Sequence, residues 1–223
     1  MTLLLAFDTA TPQVTVALHD GDRVVAELVS DRAMKHGEQL SPLIDDALRQ
    51  TGADRLDLTA VAVGAGPGPF TGLRVGLVTA RTLGFALDIP VYAVCTLDIL
   101  AYEAASSGTV TADFAVATDA RRKEVYLATY DADGARLSGP VVEHPATLAA
   151  SLPAGLAVVG EGAVLYPSAF PNGVAPVRPS AGWLARAVTD EAVELLDPEP
   201  LYLRRPDAVE PADQGKRPEG SPA

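Results

Sequence analysis

The sequence predicts an α/β protein of two similar halves, each a mixed sheet flanked by helices. Apolar runs in the first half fall in the order β-β-β-α-β-α-β-α, and a restart of the same pattern follows a polar joint, SSGT. Of 223 residues, 48% are hydrophobic, which is ample for a sizeable core. The runs LLLAFD, VTVALHD and RVVAELVS read as strands linked by ATPQ and an Asp20-Gly21 turn, so they make a meander. A helix over 38–51, a strand over 58–64, a helix over 71–87, a strand over 91–94 and a helix over 96–105 then alternate as parallel crossovers.

After the joint, FAVATDARRKEVYLATYDADG repeats the layout of LLLAFDTATPQVTVALHDGD: strand, terminal Asp, short turn, second strand, acidic-Gly turn. Asp8 precedes Val14 by six positions and Asp119 precedes Val125 by six. Related halves at residues 1–106 and 107–205 follow from that repeat. The second half continues with ARLSGPVVE, a short helix near 146–152, the strand AGLAVVG and a helix near 180–196. Residues 206–223 are rich in Pro, Gly and charge and are expected to be disordered.

Two helices are informative. In the first, Leu40, Leu43, Ile44, Ala47 and Leu48 form an apolar face, Pro42 falls near the first turn, and Gly52 is a C-terminal stop. Such a helix ordinarily covers a sheet. The second follows GAGPGPFTGLRVG, residues 64–76, at a strand's carboxyl end. Its glycines would let backbone N–H groups face an anion at a helix start. However, the stretch has neither a P-loop lysine nor a GxGxxG followed by an acidic partner, and a tight turn rigidified by Pro67 and Pro69 and capped by Thr71 explains the same residues. Within this helix Gly72, Gly76, Ala80 and Gly84 recur every fourth residue. Glycine costs about 1 kcal/mol per helix-interior site, so close approach of another backbone must compensate. That backbone belongs either to the protein's own sheet or to a partner, and Leu73, Leu77 and the Leu83/Phe85/Leu87 group give apolar surface in more than one direction.

Composition and missing motifs exclude several classes. With 17 basic and 29 acidic residues the net charge is −12, so a broad basic surface for nucleic acid is excluded and any RNA role is expected to run through a partner. One cysteine, Cys95, makes neither an internal disulfide nor a thiolate zinc site, and fits a reducing cytoplasm. No run reaches membrane-spanning length, and MTLLLAFDTA lacks a signal peptide's basic start. HExxH and GxSxG are absent, and His19, His36 and His144 are not spaced one helical turn apart, so no metal site is expected. His36 reads as a solvated end residue and Cys95 as a neutral buried thiol. Arg121, Arg122 and Lys123 occupy a hairpin connection, where charge is ordinarily solvated and an RNA or phosphate contact is the alternative.

FDTAT, GPGPFTGLRVG, DARRKEVYLATY and the late PLYLR together resemble the bacterial TsaB family, paralogous to TsaD, over about residues 1–205. Members usually carry Ser where Pro69 stands and Met where Arg122 stands. The resemblance implies two RNase H-like lobes of the actin/Hsp70/sugar-kinase type. It implies a role in making N6-threonylcarbamoyladenosine in tRNA, beside a TsaD-like catalytic subunit and a TsaE-like ATPase. In such a fold Asp8 would meet a Mg-nucleotide, with Thr9 and Thr11 beneath a phosphate and Asp119 in the matching place. Each carboxylate equally ends a strand or bonds its own turn. The expectation is therefore a cytoplasmic, noncatalytic subunit without cofactor of its own, ATP or ADP being bound at most weakly at the level of the complex. A stand-alone Mg-ATP-dependent transferase or kinase is the rival. The docking face is expected at Leu40, Leu43, Ile44 and Ala47 together with Gly72, Leu73, Gly76, Ala80 and Gly84, with tRNA contacted only through the complex and self-association on the same face when the partner is missing.

Overall fold

A computed structural model describes residues 2–30 and 35–204. The disordered tail expected at 206–223 lies outside the described residues. Strands β1 (Leu4–Asp8), β2 (Thr15–His19) and β3 (Val24–Val29) form the meander, and α1 (His36–Thr51), β4 (Ala60–Gly66), α2 (Phe70–Leu87), β5 (Val91–Cys95) and α3 (Thr96–Ser106) follow as crossovers. The first sheet has the order β3-β2-β1-β4-β5. In the second half β6 (Phe114–Asp119), β7 (Val125–Tyr130) and β8 (Arg136–Glu143) form another meander, then come α4 (Pro145–Ser151), β9 (Ala157–Val159), α5 (Glu161–Leu165), β10 (Gly173–Val174) and α6 (Ala181–Thr189). The order β10-β9-β6-β7-β8 is that of the first sheet, so the repeat read from Asp8 and Asp119 is a repeat of topology. This is the two-lobed actin-like architecture.

Strand alternation sets the layers. Leu5 and Phe7 of β1 face the core under α1 and α2, where Leu40, Ile44, Leu48, Leu77 and Ala80 are buried. Leu4 and Ala6 face the opposite way, against Ala181, Leu184, Ala185 and Val188 of α6. Helix α3 joins the lobes: Ile99 packs in the first and Leu97, Leu100 and Ala104 in the second, beside Phe114 and Tyr130. Because α6 lies on the first sheet, the boundary drawn at residue 106 divides the sheets but not the packing.

Three local expectations need correction. Helix α2 starts one residue earlier than Thr71, with Pro69 in the N-cap position and no side-chain cap, because the proline ring carries no hydrogen-bond acceptor. The last helix ends at Thr189 rather than 196, since Leu196 instead exchanges backbone hydrogen bonds with Ala93 on β5. Arg55–Asp57, α5 and β10 are short elements without a clear period and were not anticipated. The Gly52 stop is as expected, at φ 69° with its N–H on Arg49.

Helix α3 also carries a titrating group. Glu103 lies partly buried, its Oε2 without a hydrogen-bond partner among the described residues, and burial followed by the charge of Glu27 pushes its pKa up to about 7 from 4.5. A carboxyl whose pKa rises on folding contributes fully below its unfolded value and loses that contribution as pH climbs from 4.5 to about 7. Glu103→Gln is therefore expected to be neutral at pH 4 and stabilising by about 1 kcal/mol at pH 8, after discounting for solvent screening. Urea denaturation at the two pH values checks this, and an equal effect at both would refute the assignment.

Candidate functional site

The β1 tip is where the sequence placed a nucleotide, and its geometry is closed. Asp8 is fully buried. Its Oδ2 accepts from Thr96 Oγ1 at 2.7 Å and its Oδ1 from the Ala10 N–H at 2.7 Å. Thr96 Oγ1 in turn accepts from the Gly66 N–H at 3.2 Å. Gly64 is required at its position, because a Cβ there would overlap the Asp8 carboxylate. Burial pushes the Asp8 pKa above the usual carboxylate range, against the lowering effect of these hydrogen bonds. Thr9 Oγ1 donates to the Gly72 carbonyl at 2.8 Å, and Thr11 Oγ1 to the Gln13 carbonyl at 3.2 Å. His36 is buried rather than solvated: its Nε2 donates to the Thr11 carbonyl at 2.7 Å and its ring lies against Gly72. Asp8, Thr9 and Thr11 thus hold the β1–β2 turn onto the start of α2, which corrects their reading as a nucleotide cradle. Asp119 is different in environment. Its carboxylate accepts from the Arg121 N–H at 2.9 Å and pairs with the Arg121 guanidinium at 3.2 Å.

The small-residue stripe needs the same correction. A Cβ on Gly72 would overlap the Thr9 carbonyl, one on Gly76 the Thr9 hydroxyl, and one on Gly84 the Val91 side chain. Ala80 and Leu73 are fully buried, as are Leu40, Ile44 and Ala47 to within a few per cent. Of the expected docking residues only Leu43 reaches the surface, and it too packs against the core. The compensation for glycine in α2 is close approach to the protein's own β1–β2 turn and β5. What α2 turns outward is the opposite side, with Val78 62% and Phe85 91% exposed. On another side of α2, a groove of about 670 Å³ runs between the ends of α1 and α2, lined by Leu48, Ala53, Leu83 and Leu87 and by Leu56, itself 82% exposed. Asp45 and Arg55 pair across its rim at 2.6 Å.

Other candidate groups are accounted for. Cys95 is buried, which pushes its thiol up to about 12, so it is a neutral packing residue as expected. Among the described residues one group has metal-ligand character, Glu124, Glu143 and His144, whose ligand atoms lie within 4.8 Å of one another. Glu124 is paired there with Arg204 and Glu143 accepts the His144 N–H at 2.8 Å, so a guanidinium holds the cation position. At the joint of the lobes, Tyr130 Oη donates to Asp98 Oδ1 at 2.7 Å, and Arg136 lies 3.5 Å from Asp98 and 2.6 Å from Glu194.

One surface feature was outside the sequence reading, and a second was read there only as a basic hairpin connection. Phe70 and Tyr202 stack with ring centroids 5.2 Å apart, Arg74 lies 3.7 Å over the Phe70 ring, and Arg74 Nε donates to Tyr202 Oη at 3.2 Å. Residues 70 and 202 are too distant in sequence for any spacing rule, although both fall in stretches that carried the family resemblance. The second is the β6–β7 turn. Arg121, Arg122 and Lys123 are exposed and all left-handed, at φ 60°, 54° and 61°, a rare run for residues with a Cβ.

Comparison with known proteins agrees with this architecture. Residues 24–175 match the model of the family described as TsaD, tRNA N6-adenosine threonylcarbamoyltransferase. An uncharacterized protein of Mycobacterium tuberculosis is 45% identical over 92% of this chain and 93% of its own length. The tRNA threonylcarbamoyladenosine biosynthesis protein TsaB of Bacillus subtilis is 33% identical over 66% of this chain and 62% of its own. Among solved structures, YeaZ from Pseudomonas aeruginosa superimposes with a TM-score of 0.73 at 32% identity, covering 91% of this chain and all of that one. With the two repeated sheets, the sealed β1 tip and these relatives in place, the chain belongs to the TsaB family, within the wider group that the TsaD model describes.

Proposed function

We propose that the chain is a noncatalytic subunit in the formation of N6-threonylcarbamoyladenosine on tRNA, supporting a TsaD-like catalytic subunit together with a TsaE-like ATPase. The names of its relatives in Bacillus subtilis and Escherichia coli support the process. The observation that supports the division of labour is the closed β1 tip. Its carboxylate is enclosed by Gly64, Thr96 and the start of α2, and a phosphate could reach it only by displacing them.

A supporting subunit needs a surface, and the α1–α2 layer of the first lobe supplies one. Val78 and Phe85 share one face of α2 and stand out into solvent, an exposed apolar pair of the kind that marks an interface. A TsaD-like partner shares the matched fold and so carries an equivalent helical layer, which suits helix-on-helix docking. This face replaces the glycine stripe.

The test is calorimetric titration of the full chain with the TsaD-like protein of the same genome. The double variant Val78→Glu and Phe85→Glu is expected to weaken association by about 100-fold or more, with an unchanged melting temperature, because both side chains are exposed in the free subunit. Wild-type affinity in the variant would move the dock elsewhere. Turnover of Mg-ATP by the chain alone would favour the transferase or kinase reading instead.

A further inference from the structure

Helix α2 has no acidic residue along its 18 residues, in a chain that carries 29 of them. Its charged side chains are Arg74 and Arg81, and both are exposed. At about 100° per residue, Phe70, Arg74, Val78, Arg81 and Phe85 fall within about 80° of arc and make one stripe along the outer face of the helix. The dock proposed at Val78 and Phe85 thus has two guanidiniums set into it.

Arg74 is held in place. Its guanidinium lies 3.7 Å over the Phe70 ring and its Nε donates to Tyr202 Oη at 3.2 Å, while Leu201 anchors that segment by donating its N–H to the Ala65 carbonyl at 2.9 Å. Neither Arg74 nor Arg81 is balanced by a carboxylate among the described residues. A guanidinium ordered in advance loses little freedom on binding, and its planar edge takes both oxygens of a carboxylate at once.

The stripe also reads the same from either end: ring, cation, apolar, cation, ring. Phe70 and Phe85 are equally far from the midpoint between residues 77 and 78, and so are Arg74 and Arg81. A second copy of this chain would meet the face through a two-fold axis. With the two helices antiparallel, Arg74 comes opposite Arg81 of the second copy, and with them parallel each arginine comes opposite its own equivalent. Both pairings set like charges against each other at a contact that excludes water, where repulsion is strongest.

We infer that this stripe selects its partner by charge: it takes a helix of the TsaD-like subunit that carries two carboxylates about 10 Å apart, opposite Arg74 and Arg81, and it rejects a second copy of this chain. The spacing is that of seven residues along a helix. Rejection of the wrong partner by unpaired like charge is as much a source of specificity as attraction to the right one. The inference rests on the docking reading proposed above, and it departs from the expectation of self-association on the same face.

The experiment uses the full chain and measures two quantities together: affinity for the TsaD-like protein by calorimetric titration, and self-association by sedimentation equilibrium. Arg74→Gln with Arg81→Gln is expected to weaken the partner by about tenfold and to strengthen self-association by about tenfold, changes of opposite sign that a loss of folding would not produce. The affinity gap between variant and wild type should close in 1 M NaCl, where charges are screened within about 3 Å. Arg81→Gln alone should show each change in smaller measure, and the lysine pair Arg74→Lys with Arg81→Lys should still reject its own copy. Unchanged partner affinity in the glutamine pair, or unchanged self-association, would overturn the inference. Loss of tRNA binding by the free chain in that pair, with partner affinity intact, would assign the arginines to RNA and overturn it as well. Association lost in Val78→Glu with Phe85→Glu but kept in the glutamine pair counts against this inference alone, whereas association kept in both moves the dock elsewhere and removes the ground of both readings.

Discussion

Gly76→Leu is expected to unfold the first lobe rather than merely release a partner. A Cβ at Gly76 already overlaps Thr9 Oγ1, and that hydroxyl is committed to the Gly72 carbonyl one turn earlier in the helix. A leucine adds three further carbons in the same direction, where Phe7, Leu73 and Ala80 leave no accessible surface. Replacing glycine returns about 1 kcal/mol of helix propensity, but overpacking a dense core costs about 3 kcal/mol or more, so the net effect is strongly destabilising. Chemical denaturation will show an unfolding free energy lowered by that amount, and Gly76→Ala will show a smaller loss. An unaltered midpoint in the leucine variant would mean that α2 does not sit this close to the β1–β2 turn.

Asp98→Ala is expected to cost about 3–5 kcal/mol, the range for removing one member of a buried charged group. Its carboxylate, raised in pKa mainly by burial, accepts from Tyr130 of β7 and faces Arg136 at the start of β8, and Arg136 also reaches Glu194 beyond α6. Removing the carboxylate leaves the Tyr130 hydroxyl, itself almost wholly enclosed, without its acceptor. Asp98→Asn retains that acceptor and should cost roughly 1 kcal/mol. Denaturant midpoints of the two variants at constant m-value separate the cases. Equal effects would assign the cost to the lost charge facing Arg136 rather than to the hydrogen bond or to volume.

The periodic elements were legible in the sequence because their patterns are local. Leu40, Ile44, Ala47 and Leu48 announce α1 at helical spacing, and the Asp8 and Asp119 repeats announce two similar sheets, which the strand order confirms. What could not be read was the destination of a face. A stripe of small residues states that something approaches closely, but whether Thr9 and Val91 or another molecule approaches depends on contacts far apart in sequence. The same holds for Asp8. A strand-end carboxylate looks alike whether it is open to a cleft or covered by Thr96, which lies 88 residues away. His36 was misjudged because its position before an amphipathic helix gave no sign of the Thr11 carbonyl. The Phe70–Tyr202 stack and the left-handed run at 121–123 are products of tertiary structure, and residue type alone gave no warning of either.

The return of α6 to the first sheet has a consequence for synthesis. During translation, Leu4, Ala6, Ala17 and Ala62 on that side of the sheet wait uncovered until Ala181, Leu184 and Val188 have left the ribosome, after the whole second sheet has been made. The amino-terminal region thus depends on the last-made helix for its finish. A ribosome stalled before residue 181 would display a greasy half-molecule, a natural client for chaperones.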